Sequence, residues 1–197
     1  MKKVTLLAAA MILIATSIHA QSKKNEIDLG VGLFSSNQIV GIMSEVIVSG
    51  LTGLKTENGS YIGAWHLGYK HSVSDRFALG PVLAFDRGTS DILANNLYIG
   101  SSPGGKFTGN YFSLAIEGDY KYINSDNFKL YSLAGVGATL LNQVYKPDAG
   151  ENKSQIKAFF AGQITPIGVK FGNSFGIFGE LGFGYKGIIC VGVFGRF

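Results

Sequence analysis

The sequence predicts an all-β fold, a closed antiparallel up-and-down transmembrane β-barrel of eight strands. Three observations carry this. Eight segments alternate apolar with small or polar residues at a period of two, as half-buried strands do. The connections between them alternate between long and short. The chain also begins with an export signal, and no later stretch reaches the roughly eighteen consecutive apolar residues of a membrane-crossing helix. A hydrophobic exported chain without such a helix can still cross a bilayer as a closed barrel, whose strands satisfy one another's backbone groups.

Lys2 and Lys3 precede an apolar run from Val4 to Ile18, and His19-Ala20 ends on a small residue. Residues 1–20 therefore read as a secretory signal peptide, cut between Ala20 and Gln21. No Cys stands at the end of the apolar run, so a lipid anchor is not expected. Residues 21–197 suit one domain. Without Lys2 and Lys3 the 17 basic side chains become 15 against 13 acidic ones, a net of +2. With no dense Lys/Arg run either, nucleic acid is not an expected partner. Cys190 is the single cysteine and cannot form an internal disulfide. Gly at 28 residues and Pro at only 4 suit aromatic-rich strands and not a disordered chain.

The strands are read, in order, over residues 26–34, 61–72, 77–87, 110–122, 128–141, 156–171, 175–185 and 187–197. Most are near the roughly 9–11 residues that a tilted membrane strand needs. The last is the clearest: Ile189, Val191, Val193, Gly195 and Phe197 alternate with Ile188, Cys190, Gly192, Phe194 and Arg196. The outward face takes Gly63, Trp65 and Leu67 in strand two and Leu79, Pro81 and Leu83 in strand three. It continues with Leu114, Ile116 and Gly118 in strand four and Ile177, Gly179 and Leu181 in strand seven. Pro81 has no N–H for the ladder, so a bulge or a missing bond is expected there. Strand six leaves two readings open. With Phe160, Ile164 and Gly168 outward, Lys170 also turns outward and snorkels at the rim. Alternatively Pro166 marks a bulge that flips the parity.

The connections run long (35–60), short (73–76), long (88–109), short (123–127), long (142–155) and short (172–174). Only the tight link around Lys186 breaks the alternation. In the first long connection Ser35-Ser36-Asn37-Gln38 offers capping residues. Ile39, Val40, Met43, Val46 and Ile47 follow at near-helical spacing, and Gly50 can end the element. A short amphipathic helix over the barrel mouth is expected, with a hairpin extension as the alternative. Residues 91–108, with Asn95-Asn96 and Ser101-Ser102-Pro103-Gly104-Gly105, read as a flexible outer loop. This Gly-rich run lacks the strand–GKS/T–helix setting of a phosphate loop.

Aromatic spacing is consistent with a membrane band. Tyr61/Tyr69, Phe77/Phe85, Phe112/Tyr120 and Phe175/Phe183 are pairs eight residues apart. Eight residues rise about 26 Å along a strand, or roughly 20 Å along the membrane normal after tilting by about 40°. One ring of each pair would then sit at each interface. The opposite face collects Glu26, Asp28, Lys70, Asp86, Glu117, Asp119, Lys121, Lys129, Glu180 and Arg196, with His66 beside them. An eight-stranded interior is just wide enough to be filled by side chains. Those charges are therefore expected to pair as a plug, since unpaired buried charge is costly.

Chemistry is weakly written. Glu117 and Asp119 share a strand face, as acid/base work requires, but so do Glu26 and Asp28, and Lys70 and Lys121 are available as counter-ions. His71-Ser72 and Ser74 lie beside the short turn at 73–76, and His66 has no evident Ser partner. With His19 in the signal, only two His remain and no metal-ligand spacing exists. Cys190 faces inward by parity and reads as a small core residue.

The closing strand ending on Phe197, the export signal and the sorted loops together resemble the small eight-stranded bacterial outer-membrane barrels of the OmpA/OmpX type, and more loosely the outer membrane protein beta-barrel domain grouping. The resemblance covers the mature chain and carries no active-site motif. It implies outer-membrane localisation, membrane lipids as surroundings, and recognition of the Phe197 strand by the barrel assembly machinery. It further implies a monomer with a structural or surface-interaction role through its outer loops, with no catalytic, cofactor or metal residues and no particular surface ligand. The alternatives are a lipid-modifying outer-membrane enzyme, in which family the His and Ser chemistry acts in the outer leaflet, or a soluble secreted barrel carrying a hydrophobic ligand.

Overall fold

The computed structural model of the chain describes residues 24–39, 55–93, 105–148 and 151–197. The expected signal peptide, the greater part of the first long connection and the Asn95–Gly104 run lie outside these residues.

Nine strands follow one another: β1 (Asn25–Leu33), β2 (Lys55–Tyr61), β3 (Ala64–Ser72), β4 (Phe77–Leu93), β5 (Gly105–Asn124), β6 (Phe128–Pro147), β7 (Lys153–Gly172), β8 (Phe175–Gly184) and β9 (Ile189–Arg196). Each of β1 and β3–β9 pairs antiparallel with its neighbour, β4 pairs with β5, and β9 returns to β1. The ring of eight is closed. At the seam, Glu26 to Leu33 run opposite Arg196 to Ile189, and Asn25 and Phe197 exchange two backbone hydrogen bonds of 2.9 Å. Closure removes free edges that would otherwise leave backbone groups without partners.

β2 is the outer continuation of β3, cut from it at Ile62 and Gly63 and paired with the far end of β4. That break undoes one expected aromatic pair. Tyr61 lies beyond it and packs its ring against Gly88, while Tyr69 faces outward from β3. The other three pairs fall as expected. Phe77, Phe112, Tyr120, Phe175 and Phe183 are exposed on the outer face, and Phe85 stacks 4.9 Å from Phe112. Between the rings Trp65, Leu67, Leu79, Leu83, Leu114, Ile116, Ile177, Leu181 and Val191 also face outward.

Parity along the strands explains both faces. In β1, β3 and β5 buried and exposed residues alternate. At Pro81 the β3–β4 ladder skips Tyr69 and Lys70 opposite Pro81 and Gly80 but resumes in the same register, a locally missing pair and not a bulge. In β7 the second reading of strand six holds. Pro166 and Ile167 stand together opposite Ser132, one residue too many, so the phase flips. Thr165 and Lys170 both point inward although five residues apart, and Gly168, expected outward, lies under the inward Tyr131 ring. A Cβ at Gly168 would overlap that ring, so this close approach requires glycine.

The strands β4 to β7 are longer than expected, at 17, 20, 20 and 20 residues. Twenty residues span about 66 Å, well beyond a hydrocarbon core of about 30 Å even when tilted. The ladder pairs Gly88–Ile92 with Gly109–Gly105 and Asn142–Tyr145 with Ile156–Lys153, so much of the two expected outer loops is paired strand. The barrel is thus lopsided. One end carries the tight turns, the start of β1 and Phe197; from the other, β2 and β4–β7 project.

Candidate functional site

The lumen is built from alternate residues of every strand. Starting at the end with Phe197, Arg196 Nε lies 2.7 Å from Glu26 Oε2, and Lys170 Nζ donates to Glu26 Oε1. The guanidinium of Arg196 rests over the Phe194 ring at 4.3 Å, and Lys170 Nζ sits 4.7 Å from the centre of the Tyr131 ring. Asp119 comes next, with Lys70 at 3.8 Å and Lys121 and Lys170 each at 3.9 Å. Deeper still, Glu117 meets Lys70 at 3.3 Å and Lys186 at 3.1 Å and accepts from the Tyr185 hydroxyl at 2.8 Å. Lys186 reaches Glu180 at 2.7 Å, and Glu180 accepts from the Tyr131 hydroxyl at the same distance. These charges cross the lumen in a continuous network.

Lys186 arrives there from the tight β8–β9 link. Gly187 N donates to Gly184 O at 3.1 Å, and Gly187 has φ of 112°, a conformation that favours glycine. The turn therefore folds inward. Lys186 N donates to Gln163 Oε1 at 2.9 Å, and both Tyr185 and Lys186 are fully buried. The link that breaks the loop alternation is part of the plug.

Every inward charge expected from parity lies inside: Glu26, Asp28, Lys70, Asp86, Glu117, Asp119, Lys121, Glu180 and Arg196 are buried, and Lys129 is half-buried at the Phe197 end. His66 is buried with Nε2 3.9 Å from Asp28 Oδ1 and its ring 5.9 Å from that of Phe178. The residues missed are Lys186, Tyr131 and Tyr185, while Lys170 is placed by the bulge. Tyr131 shares the phase of Lys129, so parity alone could have found it. Lys186 and Tyr185 sit in a turn, where parity says nothing.

Glu117 and Asp119 are ion-pair partners of lysines, not a free pair of carboxylates. His71 Nδ1 lies 2.9 Å from Asn25 Oδ1 at the Phe197 end. Ser72 Oγ accepts from Lys121 at 3.4 Å, and Ser74 Oγ accepts the Phe77 N–H at 3.1 Å. Each of these residues is committed to a separate structural bond. Cys190 is buried and its Sγ donates to Lys186 O at 3.2 Å.

At the opposite mouth, residues 36–39 begin a helical turn. Ser35 Oγ accepts the Gln38 N–H at 3.1 Å and Gln38 Oε1 accepts the Ser35 N–H at 3.3 Å, a reciprocal capping box. Ser35 Oγ and Gln38 Nε2 both donate to the buried Asp86 carboxylate. The helix start is thereby tied to β4; its expected continuation lies outside the described residues. On the far side of the mouth β8 pairs with β7 only from Gln163 onward. Residues 153–162 of β7 consequently have β6 as their one described strand neighbour, with Ile156 and Phe160 72% and 74% exposed.

A closed eight-stranded antiparallel ring with an apolar outer band, aromatic girdles and a charged, paired interior is the architecture of the small outer-membrane β-barrels of the OmpA/OmpX type. No protein-family model matches the chain, and no curated protein does. Among solved structures it is similar to the N-terminal β-barrel domain of Pseudomonas aeruginosa OprF, at 14% identity and a TM-score of 0.45, over 89% of this chain and 98% of that one. It is similar also to Ail, the attachment invasion locus protein of Yersinia pestis, in complex with the heparin analogue sucrose octasulfate. There the identity is 13% and the TM-score 0.44, over 88% of this chain and 98% of that one. These are likenesses of fold.

Proposed function

We propose that the chain is a monomeric integral protein of the bacterial outer membrane that acts through its projecting end, with a lumen plugged by side chains and closed to conduction. The observation that carries this reading is the lopsided ring. Tight turns, the start of β1 and Phe197 occupy one end, as on the periplasmic side of outer-membrane barrels. Strands of up to 20 residues project from the other, which then faces outward. Surface material that stands clear of a rigid barrel can contact a partner without disturbing the fold.

The remaining features agree. Leu83, Leu114 and Val191 are more than half exposed on the outer face, which suits lipid and not water. A soluble carrier would need the reverse, an apolar lumen under a polar surface. Glu117, Lys70, Lys186 and Glu180 fill the middle of the barrel, where a channel would need water. His71, Ser72 and Ser74, which would serve a lipid-modifying enzyme, are held in separate structural bonds, and His66 is buried beside Asp28 and the Phe178 ring.

Two measurements test the reading together. A cysteine placed at Gln143 should be labelled by an impermeant maleimide on intact cells, and one placed at Asp126 should be labelled only after the envelope is opened. Purified protein should give no stable conductance in planar bilayers and release no acyl chain from outer-membrane lipid. Reversed labelling, steady channels, or lipid hydrolysis lost in His66→Ala would overturn it.

A further inference from the structure

At the end with Phe197, the turns at 73–76 and 125–127 frame a cavity of about 590 Å³ that opens into the lumen. Its charge is unevenly met. Five buried or half-buried cations gather at this level, Lys70, Lys121, Lys129, Lys170 and Arg196, with the exposed Lys24 also lining the cavity, around only two buried carboxylates. Glu26 is occupied by Lys170 and Arg196. Asp119 is divided among three lysines, none nearer than 3.8 Å. Lys70 also turns away toward Glu117. Lys121 is left with Ser72 Oγ at 3.4 Å and the distant Asp119, and Lys129 with the carbonyl of Ser125 at 3.0 Å. Arg196 lines the same cavity and leaves Nη2 without a hydrogen-bond partner among the described residues. Asp75 and Asp126 also line the cavity, but they stand on exposed turns where water screens them. Arg196, Lys121 and Lys170 all act on Lys129 as like charges. Crowded cations in a partly dry site favour a multiply charged anion between them, because it offsets their repulsion and accepts their free protons.

We propose that this cavity binds a phosphate-type oxyanion, with Lys121 and Lys129 as its principal donors, taken either from solution or from a lipid headgroup. Pyrophosphate, inorganic phosphate and short-chain phosphatidic acid are the probes, titrated calorimetrically into the folded chain in a phosphate-free maltoside detergent at fixed ionic strength. Saturable binding with one site is expected, weakened at least fivefold by Lys121→Gln and by Lys129→Gln and unchanged by Lys153→Gln at the projecting end. Gel mobility without heating checks that each variant is folded. Should Lys121→Gln not fold, Lys129→Gln, at the less buried position, decides alone. Saturation by inorganic phosphate or pyrophosphate assigns the ligand to solution, and saturation by phosphatidic acid alone assigns it to lipid. No saturable binding of any probe overturns the proposal, as does binding that Lys153→Gln weakens equally or that the two cavity variants leave unchanged.

Discussion

Lys170 on β7 donates to Glu26 on β1 across the lumen, and Arg196 on β9 meets the same carboxylate from its other oxygen. One acid thus joins three strands, including the two that form the closing seam. Removing one partner of a buried pair costs about 3–5 kcal/mol, because the other charge is left without compensation. Glu26→Gln strands two cations, whereas Lys170→Met leaves Glu26 with Arg196. Urea unfolding in lipid vesicles should therefore place Glu26→Gln at or above that range and Lys170→Met clearly below it. Equal losses would mean that the carboxylate does not bind both cations.

Lys170 faces inward only because Pro166 and Ile167 together oppose Ser132. The parity depends on residue count, not on the proline ring. Pro166→Ala should then be tolerated to within about 1 kcal/mol, as surface changes that keep the local geometry usually are. Deleting Pro166 should turn Lys170 and the rest of the strand end to the other face, with loss of the heat-modifiable folded band on gels. A deletion that folds as well as the substitution would contradict this account of the bulge.

The same dependence on counting explains what the sequence discloses. Between breaks, a period of two assigns Glu117 and Asp119 inward and Leu114 and Ile116 outward without knowledge of the fold. It fails where a residue is added or the chain turns. The cut at Ile62 and Gly63 separates Tyr61 from Tyr69, and the turn at Gly184–Gly187 carries Lys186 into the centre. It also misses the projecting strands. Outside the bilayer both faces can be polar, so Thr89, Ser90 and Asp91 opposite Thr108, Phe107 and Lys106 show little alternation. Their order comes from the ladder itself.

Charge on the outer band should be much costlier than charge at the projecting tip. Leu114→Arg and Val191→Arg place a guanidinium on the outer face, where the side chains are more than half exposed and, on the proposed membrane reading, meet lipid. Each should lose roughly 2–4 kcal/mol near mid-bilayer. Asp148→Arg, on an exposed residue beyond β6, should be nearly silent. Refolding free energies in lipid give the comparison, and similar values for all three would place the band elsewhere.

Phe197 closes the seam through two backbone bonds to Asn25, and its ring is half-exposed at the rim. Its deletion should cost the purified barrel on the order of 2 kcal/mol through lost burial. We propose a larger effect during assembly, since the terminal aromatic strand is what the assembly machinery would read. Folded protein in the outer-membrane fraction should fall by more than the refolding loss accounts for. Normal amounts after deletion would confine Phe197 to the seam.

The last prediction separates a packed lumen from a wet one. Lys186 lies 3.1 Å from Glu117 and 2.7 Å from Glu180, and it is the cation that stands between them. Lys186→Met keeps most of the volume but leaves two buried carboxylates to share Lys70. If side chains fill the lumen, both acids are desolvated, and the loss should reach about 3–5 kcal/mol. A second change that removes one acid, Glu180→Gln, should then recover part of it, because fewer charges are left unmet. Neither variant should conduct, since Tyr131, Tyr185 and Phe178 still occupy the cross-section. In a water-filled lumen the acids would stay hydrated, Lys186→Met would be nearly neutral, and the double variant would recover nothing. Urea unfolding of the two variants and the unaltered chain, read beside their planar-bilayer currents, distinguishes these outcomes.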